Sequence, residues 1–190
     1  MYMKQVDEGE IIARVLSGDR EAFADLVDAY KGPVFRLAFR MTGNDRDADD
    51  LTQEIFLRAF QSLGRFRPGE RFFPWLYTLG LNVLRNHLRK ERAVPEGGSE
   101  VGTPEAEDPR GGPADVALSR ERSRRIQGYL MRLSPAVREA LVLRFYEGMR
   151  FEDIAGLTGD SVGSAKMKVY RGLEKIRAMM EEDGFGDEKS

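Results

Sequence analysis

The stretch FRPGERFFPWLYTLGLNVLRNHLRKER, residues 66–92, mixes rings and cations in a way that suits one chemistry. Phe66, Phe72, Phe73, Trp75 and Tyr77 offer π-faces, while Arg67, Arg85, Arg89, Lys90 and Arg92 offer positive charge. A helix of period 3.6 here needs only Leu76, Leu79, Val83 and Leu88 to face a core. The aromatics then exceed what one face can bury. Single-stranded nucleic acid is held in this manner, with bases stacked on rings and Arg or Lys following the backbone. For any one ring, burial in the core is the commoner fate; for the whole cluster it is not.

A second constellation is acidic. In NDRDADDLTQEIFLRAF, residues 44–60, four aspartates (45, 47, 49 and 50) crowd the first turn of a helix, where the helix dipole favours acids. Glu54 follows Asp50 by four residues, so both share a face, with Gln53 beside them. An acidic and amide-bearing face of this kind can dock a basic partner helix. A carboxylate metal site is not expected, because neither a histidine nor a second acidic cluster completes it in the sequence.

The third is RFEDIAGLTGDSVGSAKMKVYRGLEKIR, residues 150–177. Phe151, Ile154 and Leu157 form a short apolar stripe, and Ala155 leaves room for a close neighbour. Gly159 supplies a turn with positive φ, and Ser161 an N-cap. The second helix would bury Val162, Ala165, Val169 and Leu173 and present Lys166, Lys168, Arg171 and Lys175. Between residues 161 and 177, five basic side chains stand against Glu174 alone. This reads as a helix-turn-helix whose basic second helix suits a DNA major groove. A solvated helical hairpin is the plain alternative for this motif taken by itself.

No catalytic pattern appears: there is no P-loop, no GxGxxG after a strand, no GxSxG and no HExxH. The chain has no cysteine and one histidine, His87, which excludes disulfides, thiol chemistry and any two-histidine metal site. No cofactor is therefore expected. Net charge over the 190 residues is −2, but basic surface is local, and local charge is what meets phosphates. The polar N-terminus is no signal peptide, and no apolar run nears the roughly 20 residues that span a bilayer. A cytoplasmic protein without membrane insertion is expected.

The elements that must position these residues read as all-α. A segment over 93–116, rich in Gly, Pro and Glu, carries six acids against one arginine. Such a composition cannot offset the cost of ordering, so it predicts a flexible acidic linker. It joins two small helical domains, 8–92 and 117–180, the second containing the helix-turn-helix, and residues 181–190 form an acidic tail. In the first domain the stripe Ile11, Ile12, Val15 and Leu16 ends at Gly18. Asp19 caps a helix bearing Ala22, Phe23, Leu26 and Val27, which Lys31-Gly32-Pro33 should break or kink. Val34, Phe35, Leu37, Ala38 and Met41 follow. The acidic helix buries Ala48, Leu51, Ile55, Ala59, Phe60 and Leu63 and ends at Gly64, and Pro74 starts the next. In the second domain Ser134-Pro135 opens a helix carrying Val137, Leu141, Val142 and Phe145, with Leu133 beside it.

Taken in order, the three constellations resemble the bacterial sigma-70 family, and the two-domain form resembles its extracytoplasmic-function group. DADDLTQEIFLRAF resembles the family's DAEDLxQExFLxxW helix. FFPWLYTLGLNVLRNHLRK resembles FxxWLYRIARNxxxDxxRR, and residues 133–177 resemble the family's LPxxxR…EIAxxLGxSxGTVKSRLxRA pattern. The resemblance implies a transcription initiation subunit rather than an enzyme, with core RNA polymerase and promoter DNA as partners and an anti-sigma protein as a regulator common in this group. Asp47, Asp50, Gln53 and Glu54 would lie on the helix that docks the coiled coil of the largest core subunit. Phe66, Arg67, Phe72 and Trp75 would read and open the −10 element, with Asn82, Arg85, Asn86 and Arg89 on bases or phosphates. Ser164, Lys166, Met167, Lys168, Tyr170 and Arg171 would read the −35 element. The acidic linker would thread the polymerase's basic RNA-exit path.

The chain departs from the family pattern at named places. Thr78-Leu79-Gly80-Leu81 stands for Arg-Ile-Ala-Arg, Asn86 for an Asp, and Thr158 and Asp160 for the apolar residues beside the turn glycine. The turn is therefore expected to pack less tightly, and replacing Asp160 by Ile to stabilise it. The competing function is a stand-alone helix-turn-helix regulator whose N-terminal helices form a sensor or dimer module.

Overall fold

The computed structural model describes residues 7–67, 69–93 and 113–184. Every regular element among them is helical. Two compact units are present. The first holds α1 (Glu8–Leu16), a 3₁₀ turn (Arg20–Ala22), most of α2 (Phe23–Thr42), α3 (Asp45–Ser62), a second 3₁₀ turn (Leu63–Arg65) and α4 (Phe72–Ala93). The second holds α5 (Pro113–Met131), α6 (Pro135–Phe145), α7 (Phe151–Thr158) and α8 (Val162–Glu182), together with Arg40–Asn44. The expected linker 93–116 is corrected at both ends: Ala93 closes α4 and Pro113–Val116 open α5. Its middle, and residues 185–190 of the expected tail, lie outside the described residues.

In the first unit Asp7 caps α1, its carboxylate accepting the Glu10 N–H at 3.1 Å, and Asp19 caps the first 3₁₀ turn through Ala22 N–H. Ile11, Ile12 and Val15 are buried, but Leu16 is 56% exposed, since it is the last residue of α1 and falls off the stripe. Pro33 does not break α2, which runs through it. The interior proline removes one helical hydrogen bond, a cost of about 3 kcal/mol. Leu26 and Tyr30 before it, and Val34, Leu37 and Phe39 after it, are all buried. Each contributes roughly 1.5–3 kcal/mol, so burial of both halves outweighs the broken bond. Helix α4 begins at Phe72, two residues earlier than its proline suggests; Pro74 sits in the first turn, whose N–H groups have no helical acceptor anyway.

In the second unit Tyr129, Leu130, Leu133, Ala140, Leu141, Val169 and Met179 form the core, with Val137, Phe151 and Ile176 packed against it. Arg138 is buried, and its guanidinium donates to the carbonyls of Leu130 (2.9 Å), Met131 (3.0 Å) and Leu133 (3.3 Å). It thereby satisfies the carbonyls left open at the end of α5. Two expected core residues are corrected: Phe145 is 57% and Leu173 is 40% exposed. The place expected for Leu173 is taken by Gly172, because α6 comes too close for a side chain. A Cβ there would stand 2.7 Å from Leu141 Cδ1 and 2.9 Å from Val137 Cγ1.

Candidate nucleic-acid interface

Tyr30, Phe66, Phe72, Phe73, Trp75 and Tyr77 of the first unit form one connected cluster of rings. Phe72 is its hub, fully buried, with its ring centroid 5.8 Å from Tyr30, 6.0 Å from Phe66 and 5.6 Å from Trp75. Phe66 meets Trp75 edge-on at 5.4 Å. Phe73 stacks on Tyr30 at 5.2 Å and leans on Tyr77 at 5.6 Å. Phe72 and Tyr77 are therefore core residues, which corrects the placement of Phe72 among the DNA-contacting residues. Phe66, Phe73 and Trp75 are half-buried and keep surface to offer. The cluster is braced from α1. The Glu8 carboxylate accepts the Phe72 N–H at 3.0 Å and the Tyr30 hydroxyl. Burial, reinforced by that carboxylate, pushes the Tyr30 hydroxyl well above its ordinary pKa. Glu8 thus satisfies one open N–H of α4 from 64 residues away, a partnership with no local signal in the sequence.

Trp75 opens onto a groove of about 1020 Å³ between the end of α3 and the first half of α4. Arg58, Arg65, Arg71, Trp75, Thr78 and Asn82 line it. Glu70 also lines the groove and Arg58 is paired with Glu54, but Arg65 and Arg71 beside an indole and an amide still suit a phosphate backbone with a base laid against it. Arg58, Arg65 and Arg71 were not among the expected site residues. Along α4, Trp75, Thr78, Asn82, Arg85, Asn86 and Arg89 recur every three or four residues and share a face. Asn82, Asn86 and Arg89 are exposed and Arg85 is half-buried. Arg85 donates to Asn82 Oδ1 at 3.4 Å and Arg89 to Asn86 Oδ1 at 3.2 Å, so each amide holds a guanidinium in place. Arg67 is exposed on the preceding loop.

On α3, Asp50 and Gln53 are exposed and Asp47 and Glu54 half-buried. Glu54 pairs with Arg58 at 2.5 Å, an i, i+4 ion pair about half exposed on both sides. The same face carries Leu57, which is 57% exposed. Sequence reasoning missed it, although its spacing from Asp50, Gln53 and Glu54 puts it on their face. Leu57 thus gives this acidic and amide-bearing face an exposed apolar patch.

In the second unit the helix-turn-helix is present. Gly159 terminates α7 with φ 71°, the left-handed conformation that favours glycine. Ser161 caps α8, its hydroxyl accepting the Ser164 N–H at 3.1 Å. The turn is not slack, which corrects that expectation. Asp160 Oδ2 lies 2.5 Å from both Thr158 Oγ1 and Lys168 Nζ, and Oδ1 accepts from Ser164 Oγ at 3.3 Å. The Thr158 hydroxyl also lies 2.9 Å from the Ile154 carbonyl, and its single proton can serve only one acceptor. Hydrogen bonding by Lys168, then by Thr158, holds the Asp160 carboxyl below its ordinary pKa. Where apolar packing was looked for, a charged network ties the two helices together.

That network also engages two of the expected DNA contacts. Lys168 is turned inward onto Asp160, its side chain only 28% exposed, and Ser164 is half-buried beside it. Lys166, Met167, Tyr170 and Arg171 remain exposed on one face of α8, at i, i+1, i+4 and i+5. Lys166 Nζ also lies 5.7 Å over the Phe151 ring.

Comparison with known proteins gives the geometry its context. Sigma-70 region 2 matches residues 12–94, and Sigma-70, region 4 matches residues 123–176. The chain is 37% identical over 171 residues to the RNA polymerase sigma factor CarQ of Myxococcus xanthus, covering 89% of this chain and 95% of that protein. It is 31% identical over 176 residues to the ECF RNA polymerase sigma factor SigW of Bacillus subtilis, covering 89% and 94%. Among solved structures, CnrH in complex with the cytosolic domain of CnrY superposes with a TM-score of 0.63 at 27% identity, covering 93% of this chain and 98% of that one. The sigma factor RpoE of Bartonella quintana, solved with the anti-sigma factor NepR, shares the fold at 22% identity, with a TM-score of 0.66 over 84% of this chain and 96% of that one.

Proposed function

The chain belongs to the sigma-70 family, in its extracytoplasmic-function group, and directs RNA polymerase to promoters; from that premise we propose how its own residues divide the work. The stand-alone regulator is set aside, because region 2 occupies the stretch where a sensor or dimer module would have to lie. The protein acts as a non-enzymatic initiation subunit, working where the polymerase and chromosome are, in the cytoplasm. Among the described residues no helix is long and apolar enough to cross a membrane.

The strip Asp50, Gln53, Glu54 and Leu57 on α3, with Asp47 at its head, docks the core polymerase. Its acids steer it to a basic helical partner, and Leu57 supplies the desolvated centre. The groove before Trp75 takes the −10 element. Arg65 and Arg71 hold phosphates, Trp75 with Phe66 behind it offers a stacking surface to an unpaired base, and Asn82, Arg85, Asn86 and Arg89 track the strand along α4. Lys166, Met167, Tyr170 and Arg171 of α8 enter the major groove of the −35 element. An anti-sigma protein, as found with a relative of the same fold, is the regulator this surface would meet.

The observation that carries the reading is the groove: arginines line it together with a half-buried tryptophan that packs on the buried ring of Phe72. The polymerase face is tested separately. Combined Asp50→Arg and Glu54→Arg substitution is expected to leave the helical content intact and to weaken binding to purified core polymerase at moderate salt. Equal retention of wild-type and variant on immobilised core would remove α3 from the docking surface.

A further inference from the structure

The acidic first turn of α3 lacks a metal-binding partner in the sequence, but the fold supplies one. Asp47 of α3 and His87 and Glu91 of α4 come together so that one ligand atom from each lies within 4.8 Å of the others. His87 and Glu91 are four residues apart on one helix face, and Glu91 Oε1 is 3.4 Å from His87 Nε2. That Nε2 is shielded from solvent and makes no hydrogen bond.

We propose that Asp47, His87 and Glu91 form a binding site for a divalent first-row transition cation, of which zinc(II) is the type. The donor set is one imidazole nitrogen and two carboxylate oxygens. Imidazole selects against calcium and magnesium, which take oxygen alone, and in favour of zinc, cobalt or nickel. The geometry is close to what such an ion requires. Metal–ligand bonds of about 2.0–2.1 Å in a tetrahedron place neighbouring donors about 3.3 Å apart. The His87–Glu91 separation already matches that edge, and the separations to Asp47, within 4.8 Å, would have to shorten toward it as the ion binds. Water would complete the coordination. A bound cation would fasten the start of α3 to the far half of α4. It would also hold Asp47, which heads the docking strip, although the site itself does not depend on that reading.

The test is a titration of the full-length chain with cobalt(II), whose visible d–d absorption reports a low-coordinate nitrogen–oxygen site, followed by displacement with zinc(II). One saturable equivalent is expected. His87→Ala should weaken it by at least about 100-fold. Glu91→Gln, at an exposed position that carries no core packing, should weaken it as well. Asp45→Asn, in the same acidic turn but outside the trio, should leave it unchanged. Absence of saturable cobalt binding would overturn the proposal. So would binding that survives both His87→Ala and Glu91→Gln, or that calcium(II) displaces as readily as zinc(II), since either would mean a diffuse acidic surface.

Discussion

The two regions proposed to face DNA are held in opposite ways. Trp75 stands on a buried stack of rings, with Phe72 beneath it and Glu8 fastening that ring's backbone from another helix. The reading face of α8 stands on charge: Asp160 joins Thr158, Ser164 and Lys168 across the turn. Apolar contact does not titrate and is not screened, whereas an ion pair still in reach of solvent responds to both pH and salt. The proposed strand-opening site should therefore be the sturdier of the two, and the proposed upstream reader the one that conditions can loosen.

The largest effect should come from separating the stack from its tip. Phe72→Ala removes a fully buried ring and should cost the first unit about 3–5 kcal/mol, read as an early unfolding transition that leaves the second unit's transition in place. Trp75→Ala should cost less in stability and more in function. Loss of one stacking surface is worth about 1–3 kcal/mol, seen as reduced permanganate reactivity on a duplex promoter and recovery on a pre-melted one. If both templates suffer alike, Trp75 is part of the core and not a melting residue.

At the turn, Asp160→Ile should destabilise the second unit by about 1–2 kcal/mol, since it leaves Lys168 without its half-buried partner. That reverses what the family pattern suggests for this position. The acid dependence has a definite sign. The folded Asp160 pKa is depressed, so its stabilisation is complete above the ordinary carboxylate value of 3.8 and fades as pH falls through the lower folded value. Thermal melts below about pH 4 should show this loss in the wild type and not in Asp160→Asn. An Ile variant that melts higher would mean that the network contributes nothing.

The smallest effect discriminates between two lysines of one helix. Lys166→Ala should weaken upstream-element binding by about 1 kcal/mol and flatten its salt dependence, as a lost phosphate contact does. Lys168→Ala should instead lower the stability of the second unit and leave the salt slope unchanged. A matching salt slope for both variants would place Lys168 on the DNA after all.

Much of this was legible in the sequence, and the failures share a cause. Gly159 and Ser161 work within a few residues of themselves, so local pattern found both. The stripe of α3 was found because one face of that helix meets one neighbour. Pattern failed where burial comes from two sides or from far away. Phe72 and Tyr77 looked surplus because one face of α4 was counted, while Leu81 and Leu84 on another face are also buried. Pro33 looked like a break because the core on both sides of it was out of view. Lys168 looked like a DNA contact because a basic helix face cannot reveal that an aspartate eight residues earlier folds back onto it. His87 and Glu91 looked unrelated to Asp47, forty residues and more away, until α3 and α4 were packed together.

The most direct test is run-off transcription on a library of genomic fragments, with purified core polymerase in the presence and absence of this chain. The account predicts a discrete set of start sites that appear only when the chain is added. Those sites should share an upstream and a −10 element, and Trp75→Ala should silence them unless the template is pre-melted. Start sites identical to those of core polymerase alone would contradict it.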